Sequence, residues 1–551
     1  MAETGAAAEH RPTKRAKNTQ SIQDRGPDLR AELLLKYSLR LPQSFTPGAI
    51  QANRLALRAQ GDRCLAYVAN AQHVYEVSLG SDLSTAADAS LEGGVVQGKE
   101  GVLVPRVAQV GHVRQLNPLS YMAAEVQGLY SGVHGSHHLL AAVDAVGNAR
   151  LLAAATGGGS GSGGGEEDGD VDGGLQCMSL HAPNRGECGW TGLALRSLGS
   201  GAAAAAGGGE CGGGGGPVLE VAVARQQLRD VNVYRDGALI RSLHTLQGPT
   251  ALTYLPPGAS GGGGGGASEV GGSGTGLLAV AEEHQAQRRS RLGLDHMARV
   301  GRSIPAHRGS LHVASQRSPL SLWDVRQGER GGCTQRLGVF GGGSPVFSLN
   351  WVASPRQHSG GGGGGGGCGG MLAATGWERS VVMLEPRKWH IVAKWPGCVK
   401  YPATHMAPSA AAPGYVYVAG LDYECVAGRW DGSSGSSTGN ANSSSGGHGR
   451  ATGPAPAQLK LGAAAAMDDG PEGGASRGGL SFRGDSKWLG LARESLTVSR
   501  RAAGGIAAAG GGNDGGGGGG GSREVAAALS LSGTLLVMMT SAATSREAPT
   551  A

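Results

Sequence analysis

Residues that could perform catalysis are spread thinly along this chain and form no active-site pattern. The sequence has 16 His and 8 Cys, but it contains no H-E-x-x-H, no C-x-x-C and no G-x-x-x-x-G-K-[ST]. No G-x-S-x-G elbow surrounds Ser348 or Ser530. His137 and His138 open a predicted strand, where a packed or surface imidazole is the simpler interpretation. The sequence therefore predicts a protein that is not an enzyme and uses no cofactor, metal or small-molecule substrate.

The strongest local signal lies in residues 318–331, SPLSLWDVRQGERG. Apolar residues alternate with period two through Leu320 and Leu322, and Trp323 falls on the opposite parity, which is typical of a strand. The turn-forming pair Gln327-Gly328 ends it. The strand therefore ends in Trp-Asp-x-Arg, which places an acid and a cation at a turn.

The same arrangement returns further along the chain. Asp324 and Glu385 are 61 residues apart, of which a glycine tract and its flank account for about 15, and Glu385 and Asp431 are 46 apart. Arg326 and Arg387 each lie two residues beyond the acid. Four strand signals per unit and a period of about 40 to 45 residues are typical of a β-propeller.

Seven such units can be placed by their strand signals. Their first strands are predicted at 54–60, 120–127, 190–196, 251–256, 346–352, 403–408 and 487–494. The first unit takes 102–107 (VLVPRV) as its fourth strand, and the sixth takes 458–462 (QLKLG). The seventh lacks a fourth strand, and the unpaired strand at 33–41 can supply it, because a ring must close its open sheet edge.

Glycine tracts separate many of these strands. The chain has 103 Gly and 24 Pro, and tracts of this composition cannot build a core. We predict disordered rim insertions near 157–174, 199–216, 258–276, 283–317, 359–370, 432–450 and 503–521. The insertion at 283–317 is basic rather than glycine-rich and could contact an acidic partner. The predicted domains are a disordered basic tail at 1–30, one propeller at 31–541 and a disordered tail at 542–551.

The strand ending in Trp323-Asp324 resembles the third strand of a WD40 blade, and Gly111-His112 before the second unit fits that family. The likeness is similar to that of the transducin/WD40 repeat-like proteins of plants and algae, in LSLWDVRQGERGGC, WERSVVMLEPRKW, LDYECVAGRW and SFRGDSKWLG. It implies an all-β fold, a single seven-bladed WD40-type β-propeller with long Gly-rich disordered loop insertions. It also implies a non-catalytic scaffold for protein–protein interaction.

Two alternatives follow from the same resemblance. The W-D-x-R motifs are similar to those by which substrate receptors of cullin–RING ubiquitin ligases bind their adaptor, which would make Trp323, Asp324, Arg326, Glu385 and Arg387 the binding residues. Exposed arginines would donate charge-assisted hydrogen bonds to that adaptor. In a purely structural role, the Trp would pack between blades and the Asp would accept a turn amide. The second alternative is phosphoinositide binding, since Phe-Arg-Gly at 482–484 is similar to the F-R-R-G of lipid-binding propellers but has one arginine.

Charge and composition limit the partners. The net charge is +6, and the basic residues are scattered rather than grouped with aromatics, so no nucleic-acid surface is predicted. No run of 18 apolar residues indicates a membrane span. Lys14, Arg15 and Lys17 resemble a nuclear localisation signal. We expect a soluble nuclear or cytoplasmic protein, with the nucleus favoured, whose partners are other proteins.

Overall fold

The computed structural model describes fifteen stretches of the chain, and every structural statement below concerns them. They are residues 28–60, 63–79, 102–105, 108–134, 137–155, 176–184, 186–198, 218–256, 277–283, 319–327, 332–340, 343–353, 370–430, 479–496 and 523–543.

The described residues form seven antiparallel sheets arranged as the blades of a ring, which confirms the predicted all-β seven-bladed propeller. Blades are numbered in chain order, and each runs from an inner strand beside the central channel to an outer strand. Blade 1 contains β2 (Leu55–Gln60), β3 (Arg63–Asn70), β4 (His73–Ser78) and β7 (Val113–Gln115). Blade 2 contains β8 (Val126–His134), β9 (His137–Asp144), β10 (Ala149–Ala155) and β11 (Gln176–Leu180).

Blades 3 to 5 have four strands each. Blade 3 contains β12 (Thr191–Leu198), β13 (Val218–Arg225), β14 (Asp230–Arg235) and β15 (Ala238–His244). Blade 4 contains β16 (Gly248–Tyr254), β17 (Leu277–Glu283), β18 (Pro319–Asp324) and β19 (Cys333–Gly338). Blade 5 contains β20 (Val346–Ala353), β21 (Gly370–Gly376), β22 (Val381–Glu385) and β23 (His390–Trp395).

Blades 6 and 7 have five strands each. Blade 6 contains β24 (Ala403–Pro408), β25 (Tyr415–Gly420), β26 (Glu424–Arg429), β27 (Leu480–Arg483) and β5 (Val102–Leu103). Blade 7 contains β28 (Trp488–Leu496), β29 (Arg523–Ser530), β30 (Thr534–Ala543), β1 (Asp28–Leu39) and β6 (Ala108–Gly111). Within the described stretches, the one helical segment is a 3-10 turn at Asn117–Leu119.

The core is divided into seven clusters, each between two neighbouring blades. This division follows from the pleat, because alternate residues of a strand point toward opposite neighbours. In β9, for example, Leu140 and Ala142 pack toward blade 1, whereas Leu139 and Ala141 pack toward blade 3. The second strands are accordingly apolar at consecutive positions rather than alternately, as expected for sheets buried on both sides.

The N-terminal strand β1 is the fourth strand of blade 7. It pairs antiparallel with β30 from Asp28–Ala543 to Ser38–Thr534, so both ends of the chain share one sheet. The strand begins at Asp28 and ends at Leu39, and β30 continues to Ala543, so the described propeller extends slightly beyond the predicted limits of 31 and 541. Residues 1–27 and 544–551 lie outside the described residues.

The predicted fourth strand of blade 1 is wrong. Within residues 102–107, Val102–Leu103 pairs parallel to β27 of blade 6, and Ala108–Gly111 then pairs parallel to β1 of blade 7. The fourth strand of blade 1 is instead β7, antiparallel to β4. We call β5, β6 and β7 together the strap, because they run along the outer edges of three successive blades across the point of ring closure.

Two further strand predictions are corrected by the pairing. The fourth strand of blade 6 is β27, Leu480–Arg483, whereas 458–462 lies outside the described residues. The Phe482-Arg483 pair, expected in a turn, is therefore in a strand. The first strand of blade 2 begins at Val126, six residues after the predicted start, because residues 116–125 form the connection from blade 1.

The two faces of the ring carry different connections. The short-loop face is formed by the connections from each outer strand to the next inner strand and by those between second and third strands. The insertion face carries the others and both ends of the described chain. Each blade has one long undescribed stretch on the insertion face: 80–101, 156–175, 199–217, 257–276, 354–369, 431–478 and 497–522. One further stretch, 284–318, joins β17 and β18 on the short-loop face.

Residues 48–53, which we call the plug, close the central channel at the short-loop face. The carbonyl of Ala52 lies 2.9 Å from Nε2 of His405 in blade 6. The side chain of Asn53 bonds the backbone of Leu491 in blade 7 through both its oxygen, at 3.1 Å, and its nitrogen, at 3.3 Å. A channel cavity of ≈ 530 Å³, lined by the inner strands, lies behind it.

A buried arginine fixes the plug from behind. Arg54 has no exposed surface, and its Nη2 lies 2.8 Å from Oε1 of Glu125. Its Nη1 donates to the carbonyl of Thr46 at 3.0 Å. Gly48 has φ +55°, and a Cβ there would overlap the Arg54 guanidinium, so glycine is required at this position.

Candidate protein-interaction face

The Trp-Asp-x-Arg motif forms a structural unit in blade 4. Trp323 is buried in the core between blades 3 and 4, and its Nε1 donates to Oγ of Ser321 at 2.8 Å. Asp324 accepts the backbone amide of Arg326 at 3.0 Å and two guanidinium nitrogens, Nε and Nη2, also at 3.0 Å. These hydrogen bonds from Arg326 hold the pKa of Asp324 below its usual value. The geometry matches the structural interpretation of Trp323 and Asp324.

The corresponding turn of blade 5 contains Glu385 and Arg387. The Glu385 carboxylate lies 3.4 Å from Nδ1 of His390, and its carbonyl accepts the amide of Trp389 at 2.7 Å. Arg387 is exposed. The structure places Arg326 and Arg387 at equivalent turns of adjacent blades on the insertion face, where the Arg326 side chain is half exposed. Lys14, Arg15 and Lys17 lie outside the described residues.

Two histidines of blade 2 lie near the open end of the channel. His134 Nε2 is 3.1 Å from the Tyr130 hydroxyl, and His138 Nε2 is 3.0 Å from Oγ of Ser131. Burial, assisted by the charge of Arg58, lowers the pKa of His138 to about 4. An imidazole with so low a pKa is a weak general base at neutral pH, so this Ser–His pair has the geometry but not the basicity of a nucleophilic pair.

The search for other chemistry among the described residues is brief. No group of three or more His, Cys, Asp or Glu in these stretches is arranged to hold a metal ion. Within the same residues no helix is long and apolar enough to cross a membrane. Arg483, of the predicted lipid motif, ends β27 and is followed by Gly484, so one guanidinium is present there.

Exposed aromatic residues are confined to the short-loop face. Among the described residues, the large aromatic side chains that are exposed are Trp377 at 52%, Tyr121 at 65%, Tyr401 at 45% and Tyr423 at 46%. All four lie in short-loop connections. Trp377, Tyr401 and Tyr423 belong to blades 5 and 6 and to the connection between them, and we call these three residues the aromatic patch.

Backbone hydrogen bonds join the loops that carry the aromatic patch. The amide of Cys398 donates to the carbonyl of Arg379 at 2.9 Å, and that of Leu421 donates to Pro402 at 2.7 Å. The amide of Gly484 donates to the carbonyl of Tyr423 at 2.8 Å. Because each loop is bonded to the next, the three aromatic side chains are presented by one continuous, fixed surface.

Trp377 is further held by an aromatic neighbour. Its ring lies 6.5 Å from that of Phe347, at an interplanar angle of 74°, which is an edge-to-face arrangement. The ammonium group of Lys400 lies 5.6 Å from the centre of the Tyr401 ring, within cation–π range. Exposed aromatic groups that are already ordered lose little side-chain entropy on binding, and Trp and Tyr are enriched among the residues that dominate interfaces.

Sequence reasoning did not find the aromatic patch, because its members come from separate loops. A usable signal was nevertheless present. Trp377 and Tyr423 each occupy the turn between second and third strands and are each followed by Glu, in W-E-R-S and Y-E-C-V. An exposed aromatic residue repeated at the same turn of neighbouring blades predicts a shared surface once the repeat has been aligned.

Comparisons with known proteins add little. No protein-family model matches the chain, and no curated protein matches it. The crystal structure of Raptor from Chaetomium thermophilum is similar over 95% of this chain and 30% of Raptor, with a TM-score of 0.42 and 8% identity. A chain of the mitotic checkpoint complex crystal structure is similar over 98% of both chains, with a TM-score of 0.40 and 9% identity. The chain thus spans less than a third of the length of Raptor.

Proposed function

We propose that this propeller is a non-catalytic scaffold that binds another protein through the aromatic patch on its short-loop face. The observation that carries the proposal is the grouping of Trp377, Tyr401 and Tyr423 in three hydrogen-bonded loops, with about half of each side chain exposed. Large exposed apolar groups gathered on a rigid surface are typical of a binding site rather than of ordinary surface. The blades supply the geometry, and the loops supply the specificity.

A pair of triple variants tests this function. The patch variant carries Trp377→Ala, Tyr401→Ala and Tyr423→Ala, and the control carries Leu239→Ala, Ile240→Ala and Ile391→Ala on the outer edges of blades 3 and 5. The control residues are exposed by 40 to 45%. Each tagged protein is purified from its own cells and its partners are quantified by mass spectrometry, after thermal unfolding has shown that both variants fold.

We expect the patch variant to lose at least one stoichiometric partner that the wild type and the control variant both retain. A loss of about tenfold corresponds to about 1.4 kcal/mol of binding free energy, a modest effect for three aromatic truncations. If the patch variant and the control retain the same partners equally, the short-loop face is not the binding surface.

A second candidate function is that of a ubiquitin-ligase substrate receptor. It is supported by the placement of Arg326 and Arg387 at equivalent turns of adjacent blades, on the face opposite the aromatic patch. Both could then bind one adaptor, although Arg326 already uses two of its nitrogens on Asp324. The Arg326→Ala, Arg387→Ala double variant separates the two functions: loss of a ligase adaptor with other partners retained supports the receptor, and an adaptor absent from wild type excludes it.

Nuclear localisation remains a separate proposal, supported by the sequence of Lys14, Arg15 and Lys17 alone. Replacing the three by Ala and imaging a fluorescent fusion tests it. Exclusion of the variant from the nucleus supports import through this segment, whereas an unchanged distribution removes the proposal without affecting the binding function.

A further inference from the structure

The electrostatic surroundings of the aromatic patch indicate which partner it fits. The question is which charged groups in its loops are already used within the propeller and which face outward. The following argument rests on the proposed function, since it specifies the partner of the same surface.

The carboxylates around the patch are all bound within the protein. Glu378 lies 3.2 Å from the ammonium group of Lys394. Asp422 accepts the backbone amide of Glu424 at 3.1 Å, and Glu424 in turn accepts the backbone amide of Lys400 at 2.9 Å. Each carboxylate therefore fixes a loop, and moving any of them toward a cationic partner would break that contact.

Asp485, at the edge of the same surface, is the most strongly held. It accepts hydrogen bonds from the hydroxyl groups of Ser530 at 3.0 Å and Thr534 at 2.7 Å, and lies 3.4 Å from the ammonium group of Lys36. These contacts lower the pKa of Asp485 although burial opposes the shift. Its negative charge is consumed by the closure of blade 7.

The cations of the patch differ, because neither is neutralised. Arg379 and Lys400 are both exposed, and no carboxylate of the described residues lies within ion-pair distance of either side chain. Arg379 donates one nitrogen, Nη1, to the carbonyl of Lys400 at 3.1 Å, and Lys400 lies over the Tyr401 ring. Both guanidinium and ammonium groups are thus positioned beside the exposed rings with positive charge that the protein does not balance.

The sequence of the same face is consistent with this sign. Residues 284–318, which connect β17 and β18 on the short-loop face, include seven Arg and one acidic residue, Asp295. They are not part of the surface described above, but they add positive charge to the face on which a partner would arrive. Long-range attraction of this kind raises the rate at which an oppositely charged partner associates.

We infer that the aromatic patch binds an acidic peptide segment that also carries apolar side chains. The apolar side chains would contact Trp377, Tyr401 and Tyr423, and flanking carboxylates would pair with Arg379 and Lys400. A basic or neutral segment would leave these two cations without partners, so the surface discriminates by charge as well as by burial.

The test uses a phage-displayed library of random peptides, selected in parallel against three forms of the full chain. They are the wild type, the aromatic patch variant defined above, and a charge variant, Arg379→Glu with Lys400→Glu. A matched control carries Lys388→Glu, which reverses an exposed lysine on the insertion face of the same blade. Affinities of the enriched peptides are then measured by fluorescence anisotropy at low and high salt.

We expect the wild type and the Lys388→Glu control to enrich peptides rich in Asp, Glu and apolar residues. Their affinity should fall about tenfold or more in the charge variant and by several-fold between about 0.05 and about 0.3 M salt, because exposed ion pairs are screened. Enrichment of neutral or basic peptides that still require the aromatic residues would overturn the charge inference and leave the proposed function standing. Peptides that bind the aromatic patch variant equally well, or no enrichment over it, would overturn both.

Discussion

The two faces of this ring are built from the same repeat but treat chain length in opposite ways. On the short-loop face, connections are bonded to one another: the amide of Met122 donates to Gln72 at 3.1 Å, and that of Gln227 donates to Cys188 at 2.8 Å. On the insertion face, every blade has one long stretch outside the described residues. A propeller accommodates added chain where strand ends are not cross-bonded, because loop-closure entropy rises slowly with length.

The contrast also separates two kinds of surface. The short-loop face holds the plug, the buried Arg54 and all of the described exposed aromatic residues, and it is therefore fixed. The insertion face holds the Trp-Asp-x-Arg turns, whose acid is used by its own turn. The one long stretch on the short-loop face, 284–318, marks blade 4 as the place where this division is incomplete.

The largest effect is expected from removing the cation that anchors the plug. Arg54→Ala leaves Glu125 without its partner and opens a space behind residues 48–53, and breaking a buried ion pair in this way costs about 3–5 kcal/mol. Lys388→Ala, an exposed lysine on the insertion face, should change the free energy of unfolding by less than about 0.5 kcal/mol. Urea unfolding measures both. Equal effects would show that the two faces are equally fixed.

An intermediate effect is expected from acid. His405 is fully enclosed between Thr404 and the plug, and burial lowers its pKa to about 4, as it does for His138. Both histidines titrate near 6.5 when unfolded. Their contribution to stability is complete above about pH 6.5 and is lost as the pH falls toward 4, because the unfolded chain takes up protons first.

The expected loss is on the order of 3 kcal/mol for each histidine between those limits. Urea unfolding of the wild type and of His405→Gln across this range measures it. The variant should be less stable at neutral pH and should depend less on pH. His244→Gln, at an exposed position at the end of β15, is the control and should keep the wild-type profile. An unchanged profile in His405→Gln would contradict the assignment.

The smallest effect is expected from shortening the insertion face. Deleting the eight glycines at 360–367 should change the free energy of unfolding by less than about 1 kcal/mol, since only loop-closure entropy is altered. Inserting eight glycines after Glu378, on the short-loop face of the same blade, should cost about 1–2 kcal/mol through lost hydrogen bonds in the Arg379 turn. If the two changes have equal effects in urea unfolding, the difference between the faces does not reside in their hydrogen bonds.

The repeat was predictable wherever strands were joined by local pairing. Blades 3, 4 and 5 form hairpins between successive segments, so alternation and turn residues located their strands. The placement of Val102–Leu103 could not be predicted, because it pairs with Leu480–Arg483, far away in sequence, and two residues carry no periodicity. The expected fourth strand at 458–462 failed for a related reason: several short apolar segments competed for one edge.

The candidate site was less predictable than the fold. Trp323 and Arg326 attracted attention because they stand together in sequence, yet the structure shows Trp323 in the core and the Asp324 carboxylate occupied by Arg326. Trp377 and Tyr401 stand in separate loops, and only the bonding between those loops places them on one surface. Sequence proximity favours motifs, whereas a binding surface is assembled by the fold.

The strap and the closing strand have a consequence for how the protein is made. Ser38 pairs with Thr534, and Val102 with Ser481, so both early segments must wait for partners that leave the ribosome several hundred residues later. At roughly 5–20 residues per second, about 500 residues take on the order of half a minute or longer. Blades 2 to 5 can form during that interval, while β1 waits as an unpaired strand. The newly made chain is therefore most exposed to mispairing before its last blade is synthesised, and it depends on whatever shields its first strand until then.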